Sequence, residues 1–124
     1  SAFDSAGQRC SAARVLYVQE DIADKVCEML SGAMDELVVG DPGLLSTDVG
    51  PVIDEASRQT LVEHAERMDR EARLINVVTL DDSTSQGTFF APRAYEIPRS
   101  TSCIARCSAR SCTCCAGKPM TWTR

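Results

Sequence analysis

Cys10 lies in the segment Phe3-Asp4-Ser5-Ala6-Gly7-Gln8-Arg9-Cys10-Ser11-Ala12, after a Gly-Gln turn and before an apolar stretch. A thiol attacks as the thiolate, so a useful cysteine needs dipoles or cations that favour the anion without full burial. Gly7 permits a tight backbone turn, and Arg9 supplies a neighbouring positive charge. Main-chain N–H groups after such a turn can also point at an oxygen that gains charge during attack. These features suit a covalent nucleophile acting on a carbonyl carbon. The residue type alone also fits a small buried apolar side chain.

The elements that would position this turn follow in order. Residues 14–19, Arg-Val-Leu-Tyr-Val-Gln, are apolar and β-branched enough for a buried strand. A helix comes next, with Glu20, Asp21 and Asp24 at its start, where the helix dipole favours acids. Ile22, Val26, Leu30, Ala33 and Leu37 recur at helical spacing and predict its buried stripe, with Cys27 packing beside it. Gly40-Asp41-Pro42-Gly43 ends the element with turn chemistry. Asp54 predicts the N-cap of a second helix, and Leu61, Ala65, Met68 and Ala72 its buried face. His64, at the edge of that face, reads as a partly exposed helix residue, because no partner cysteine or acid pair suggests a metal. Residues 74–80 predict a strand, 81–86 a polar loop and 88–97 a further strand. Strand, helix, turn, helix, strand is the order of an α/β fold with a largely parallel sheet flanked by helices.

Composition and charge divide the chain. Its 124 residues are 44% hydrophobic, enough for one modest domain, and nothing resembles a membrane span or a secretory signal. Ser1 is not an initiator methionine, so a piece of a longer chain is expected. Residues 1–98 carry 8 Lys/Arg against 18 Asp/Glu, whereas 99–124 carry 5 Lys/Arg and no acid. Five of the seven cysteines lie between Cys103 and Cys115. That tail has no periodic apolar face. A zinc or thiol module is one reading of it: Cys103-x₃-Cys107 has ligand spacing, but Cys112-x-Cys114-Cys115 is too cramped for a second clean pair. A nucleic-acid role is opposed by the acidic remainder and by Trp122 being the tail's only aromatic residue.

Gly7-Gln8-Arg9-Cys10, following the aromatic Phe3, resembles the active-site cysteine signature of the aldehyde dehydrogenase superfamily. The runs SAFDSAGQRCSAARVLYVQEDIADKVCEML, DELVVGDPGLLSTDVGPVID and GTFFAPRAYEIP resemble one branch of it, the L-glutamate γ-semialdehyde (1-pyrroline-5-carboxylate) dehydrogenases. The resemblance implies that residues 1–98 are part of the catalytic (thiolate) domain of an NAD-dependent enzyme of proline catabolism. It implies Cys10 as the catalytic nucleophile, which forms a thiohemiacetal with L-glutamate γ-semialdehyde. Hydride transfer to NAD⁺ then leaves a thioester that is hydrolysed to L-glutamate. Ser11 matches a serine that contacts the substrate carboxylate, although it could equally cap the following backbone.

By the same resemblance the general-base glutamate, the oxyanion-hole asparagine and the Rossmann-like domain lie upstream of Ser1. No residue here is therefore expected to bind NAD or a metal, and the 124 residues alone are expected to be inactive. FAD enters only if a proline dehydrogenase domain precedes. The implied parent is cytoplasmic and homo-oligomeric, and takes a small aldehyde. Another aldehyde dehydrogenase is the alternative within the superfamily, opposed by Ser11 and by LSTDVGPVID. A non-enzymatic cysteine-rich module formed by the tail is the alternative from another class.

The family continues past the position of Pro98 with Glu-x-Phe-Gly-Pro, which is missing here. Residues from Ala105 back-translate with G/C-rich codons to GCG AGG TGT TCG GCC CGG TCC TGC ACG. Read from the third base, these give Glu-Val-Phe-Gly-Pro-Val-Leu-His, and the next codons give Val-Leu-Arg-Trp. Residues 99–124 are accordingly expected to be an aberrant Cys/Arg-rich tail produced by a frame slip. A sheet cut from a larger domain leaves open strand edges and exposed apolar helix faces, so the isolated chain is expected to aggregate or to be molten.

Overall fold

The computed structural model describes residues 2–97 and the backbone of a strand at 114–117. Four strands form one sheet: β1 Val15–Tyr17, β2 Arg73–Val77, β3 Arg93–Ile97 and β4 Cys114–Gly117, in the spatial order β1-β4-β3-β2. β4 runs parallel to both β1 and β3, and β2 pairs antiparallel with β3. The helices are α1, Glu20–Asp35, and α2, Glu55–Glu71. This is the α/β arrangement with a largely parallel sheet that the element order predicts.

β3 accounts for a helix on each face, because successive strand residues point to opposite sides. Ala94 packs with Met34 of α1 and with Val39, Val49 and Val78. Tyr95 and Ile97 pack instead with Met68 of α2. All three β3 side chains are sealed from solvent. Tyr95 also donates its hydroxyl to Asp69 Oδ1 of α2 at 2.7 Å. On the α1 side, Asn76 follows a bulge in β2 and donates to Ser31 O at 3.0 Å and Asp35 Oδ1 at 2.7 Å. Each helix is thus tied to the sheet by apolar burial and by at least one specific hydrogen bond.

α2 follows its sequence pattern. Asp54 Oδ1 accepts from the Ser57 N–H at 2.7 Å as the N-cap, and the Ser57 side chain, followed by that N–H, holds the Asp54 carboxyl below its ordinary pKa. Leu61, Ala65 and Met68 are buried. α1 departs from its pattern: Ala23 and Met34 are the buried positions, whereas Ile22 and Ala33 are exposed. Its apolar residues form two adjoining stripes, and the sheet takes the one through Ala23, Leu30 and Met34 rather than the one through Ile22, Val26 and Met29. β1 departs too. Leu16 and Tyr17 are exposed, so the expected buried strand is a partly covered edge strand.

The expected strands at 74–80 and 88–97 shorten to β2 and β3 for a local reason. The Val52 N–H donates to Thr88 O at 2.9 Å, and Thr88 Oγ1 donates to Val52 O at 2.5 Å. These bonds draw the residues before β3 against the 51–53 segment, and Pro92 has no N–H to offer a ladder. Cys114–Gly117 belongs to the tail 99–124 yet lies inside the sheet. The rest of that tail, including the zinc spacing of Cys103, Cys107 and Cys112, lies outside the described residues. Among the described residues no helix is long and apolar enough to cross a membrane.

Gly87 turns the chain into the 88–92 loop with φ +145°, and a Cβ there would lie 2.8 Å from Phe89 Cε2. Gly87→Ala is expected to lower the unfolding free energy by about 1–3 kcal/mol, read as a fall in the urea midpoint of the dilute chain. An unchanged midpoint would show that the loop yields without cost.

Candidate active site

The thiol is carried by a backbone that L-residues resist. Ser5, Ala6 and Gly7 have φ of +54°, +51° and +67°. Left-handed geometry costs roughly 1–2 kcal/mol per residue with a Cβ, so the surroundings must hold this turn. Phe3 and Ala6 pack against the cluster around Met34 and Ala94, and Gly7 is buried. Gln8 closes the turn, donating from both its backbone N–H and its Nε2 to Ser5 O at 3.1 Å.

Beyond Gln8 the chain swings outward. The Ala12 N–H donates to Arg9 O at 3.1 Å and closes a second turn, with Cys10 and Ser11 at its tip. Both residues are exposed, and Cys10 is a free thiol. Among the described residues nothing accepts the Cys10 N–H, which is therefore open to an incoming oxygen. The buried packing role for Cys10 does not hold. The cation expected beside the thiol is engaged: Arg9 Nη1 lies 3.4 Å from Asp4 Oδ2, with both side chains largely in solvent.

Gln8 carries the long-range contacts of this region. Its Oε1 accepts from the Ile53 N–H at 2.8 Å, and its Nε2 lies 3.4 Å from Pro51 O. Local spacing gives no sign of this role, because the partners lie 45 and 43 residues away. Beneath the turn, Phe3, Ala6, Val49, Val52, Phe90 and Pro92 line a cavity of about 20 Å³, room for a single small molecule such as water.

These observations describe an α/β scaffold that presents Cys10, the exposed cysteine among the described residues, on a strained, buttressed turn. The chain belongs to the aldehyde dehydrogenase family, whose profile matches residues 1–106. It is 44% identical over 102 residues to the bifunctional protein PutA of Klebsiella aerogenes, a match covering 78% of this chain and 8% of that protein. It is 37% identical over 95 residues to a 1-pyrroline-5-carboxylate dehydrogenase of Geobacillus sp. (strain WCH70), covering 77% of this chain and 18% of that one. A crystal structure of a mutant proline utilization A (PutA) from Bradyrhizobium japonicum superposes with a TM-score of 0.87 at 40% identity. That match covers 98% of this chain and 12% of the other. The chain therefore spans less than a fifth of the length of these relatives, and they fall in the branch that its motifs resemble.

On α2, His64 is half-buried as its place on the helix predicts, with Nδ1 3.0 Å from Arg67 Nη2. Burial, and then the Arg67 charge, hold its pKa below the ordinary 6.5. The folded chain therefore binds fewer protons than the unfolded chain just below that pH. Stability should be full above about pH 6.5 and fall as pH drops through the lower folded value. Urea midpoints measured from about pH 7 to 5 are expected to decline in the native chain and to decline less in His64→Gln. Equal slopes would exclude His64 as the source.

Proposed function

We propose that this segment is the nucleophile-bearing part of an L-glutamate γ-semialdehyde dehydrogenase, which oxidises that aldehyde to L-glutamate in proline catabolism. The observation that carries this reading is Cys10 itself, exposed at the tip of its turn with no acceptor for its N–H among the described residues. The family and the relatives described above supply the class of reaction.

In this reading the Cys10 thiolate adds to the aldehyde carbon. The carbon–sulfur bond forms as the carbonyl π pair moves onto oxygen, and the Cys10 N–H donates to that oxygen. One such donor contributes on the order of a hundredfold in rate or more. Ser11, the next residue along the tip, donates its hydroxyl to the substrate carboxylate. When the thioester is later hydrolysed, the carbon–sulfur bond breaks and the thiol is returned. The family resemblance assigns NAD binding to parts of the parent enzyme outside these residues. Oxidation falls to residues outside this set, and the 124 residues alone are inactive. The parent is cytoplasmic and homo-oligomeric, with FAD only where a proline dehydrogenase domain precedes.

Residues 1–98 are read here as part of the catalytic domain and 99–124 as a frame-slipped tail. Sequence similarity to the Klebsiella protein covers 78% of the chain, whereas the superposition covers 98%. β4 lies where the shifted frame would encode Val-Leu-Arg-Trp, residues better suited to a strand than the Cys-Cys-Ala-Gly present.

Grafting residues 2–97 into a bacterial PutA in place of the matching segment is expected to give NAD-dependent oxidation of L-glutamate γ-semialdehyde, abolished by Cys10→Ala. Ser11→Ala is expected to raise KM for that substrate roughly tenfold while leaving the kinetics with propanal unchanged. A folded graft that turns over without Cys10 would overturn the nucleophile assignment. DNA sequenced across codons 98–124 is expected to carry Glu-Val-Phe-Gly-Pro in a second frame, and DNA without it would refute the slip.

A further inference from the structure

Gln8 stands two residues before Cys10, and its carboxamide reaches the 51–53 segment on the far side of the turn. That segment is itself anchored, through the paired bonds between Val52 and Thr88. A line of hydrogen bonds thus runs from Ser5 through Gln8 to residues 51–53 and on to Thr88, in the loop that leads into β3. Every bond at Gln8 matches the polarity of an amide. The nitrogen faces two carbonyls, Ser5 O and Pro51 O, and the oxygen faces one N–H, that of Ile53. A carboxylate there would set negative charge against two carbonyl oxygens. A thioether would satisfy none of the three partners.

We propose that Gln8 is a positioning residue for the reaction: by tying the thiol turn to the 51–53 segment it fixes where Cys10 stands, an inference that rests on Cys10 being the nucleophile. The Cys10 Sγ and the Cys10 N–H must address one carbonyl group together. A displacement of about 1 Å at such a site costs on the order of a hundredfold in rate. The left-handed residues Ser5 to Gly7 cannot supply that precision alone, because relaxing their φ angles would swing the tip away. The Gln8 side chain opposes that relaxation from outside the turn.

The test uses the grafted enzyme without NAD, in which residues 2–97 keep the rest of the parent around them. The rate at which iodoacetamide alkylates Cys10 is followed by mass spectrometry of its peptide. Dividing by the rate in the urea-unfolded chain at the same pH removes the thiol's own titration. Exchange of the Ile53 amide is followed in parallel, with the α2 amides as a check on folding. The native chain is expected to show a ratio away from one and a protected Ile53 amide. Gln8→Met is expected to bring the ratio to one and to speed Ile53 exchange about tenfold, with α2 still protected.

Gln8→Glu supplies the signature that a general loss of stability would not produce. Its neutral carboxyl can donate to one carbonyl and still accept from the Ile53 N–H. Native behaviour is therefore expected near pH 5 and Gln8→Met behaviour near pH 8, on either side of a raised carboxyl pKa. If Gln8→Met loses α2 protection, the Gln8→Glu comparison alone decides. A native ratio of one, a Gln8→Met chain that matches the native one, or a Gln8→Glu chain without pH dependence would each overturn the proposal. An inactive graft alongside the expected Gln8 results would instead remove the nucleophile reading and leave the clamp standing.

Discussion

The left-handed run Ser5-Ala6-Gly7 reverses the chain within three residues, and the placement of the thiol depends on it. The reversal directs Phe3 and Ala6 down onto the cluster around Met34 and Ala94, and it leaves Cys10 and Ser11 facing solvent a few residues later. Free cysteines are among the residue types most often buried, so an exposed one on a strained turn needs a physical cause. Here the cause is apolar burial beneath the turn, joined to the Gln8 bonds beside it. Strained backbone persists only where its surroundings over-determine it, and the described contacts meet that requirement.

β3 is the element against which this buttress is built. Its alternating side chains take Met34 of α1 on one face and Met68 of α2 on the other. The loop just before it holds the 51–53 segment to which Gln8 is tied. The placement of Cys10 thus rests on a buried strand about 85 residues further along the chain, a link made by packing and by Thr88 rather than by sequence proximity. Other surfaces are less well covered. Leu16 and Tyr17 on β1, Ile22 and Met29 on α1, and Leu44 and Leu45 in the following loop are large apolar side chains in solvent. Self-association of the isolated chain would begin at such surfaces.

Helix α2 was legible in its capping Asp54 and in Leu61, Ala65 and Met68, whereas Ala72, expected on the same buried face, is the half-buried C-cap where the backbone leaves the helix. The turn before Cys10 was legible from Gly7, whose positive φ is the property that glycine supplies. α1 was legible as a helix but not in its rotation. Ile22, Val26 and Met29 lie beside Ala23, Leu30 and Met34, and periodicity alone does not say which stripe meets the sheet. β1 looked buried because β-branched and apolar residues signal a strand without saying what covers it. Gln8 was silent for a different reason: a polar residue whose partners lie more than 40 positions away leaves no local pattern. The pairing of Arg9 with Asp4 was not legible either, because it depends on the turn's geometry, which composition does not disclose.

The most direct measurement on the nucleophile is protection from alkylation, made on the grafted enzyme without NAD. Reversible addition of an aldehyde to the Cys10 thiolate should withhold that sulfur from iodoacetamide. The expected result is that L-glutamate γ-semialdehyde slows alkylation of the Cys10 peptide in a dose-dependent way, more strongly than propanal does, while the Cys27 peptide reacts at an unchanged rate. Alkylation of Cys10 that is indifferent to the aldehyde, or equal protection at Cys27, would contradict the assignment of Cys10 as the group that attacks the substrate.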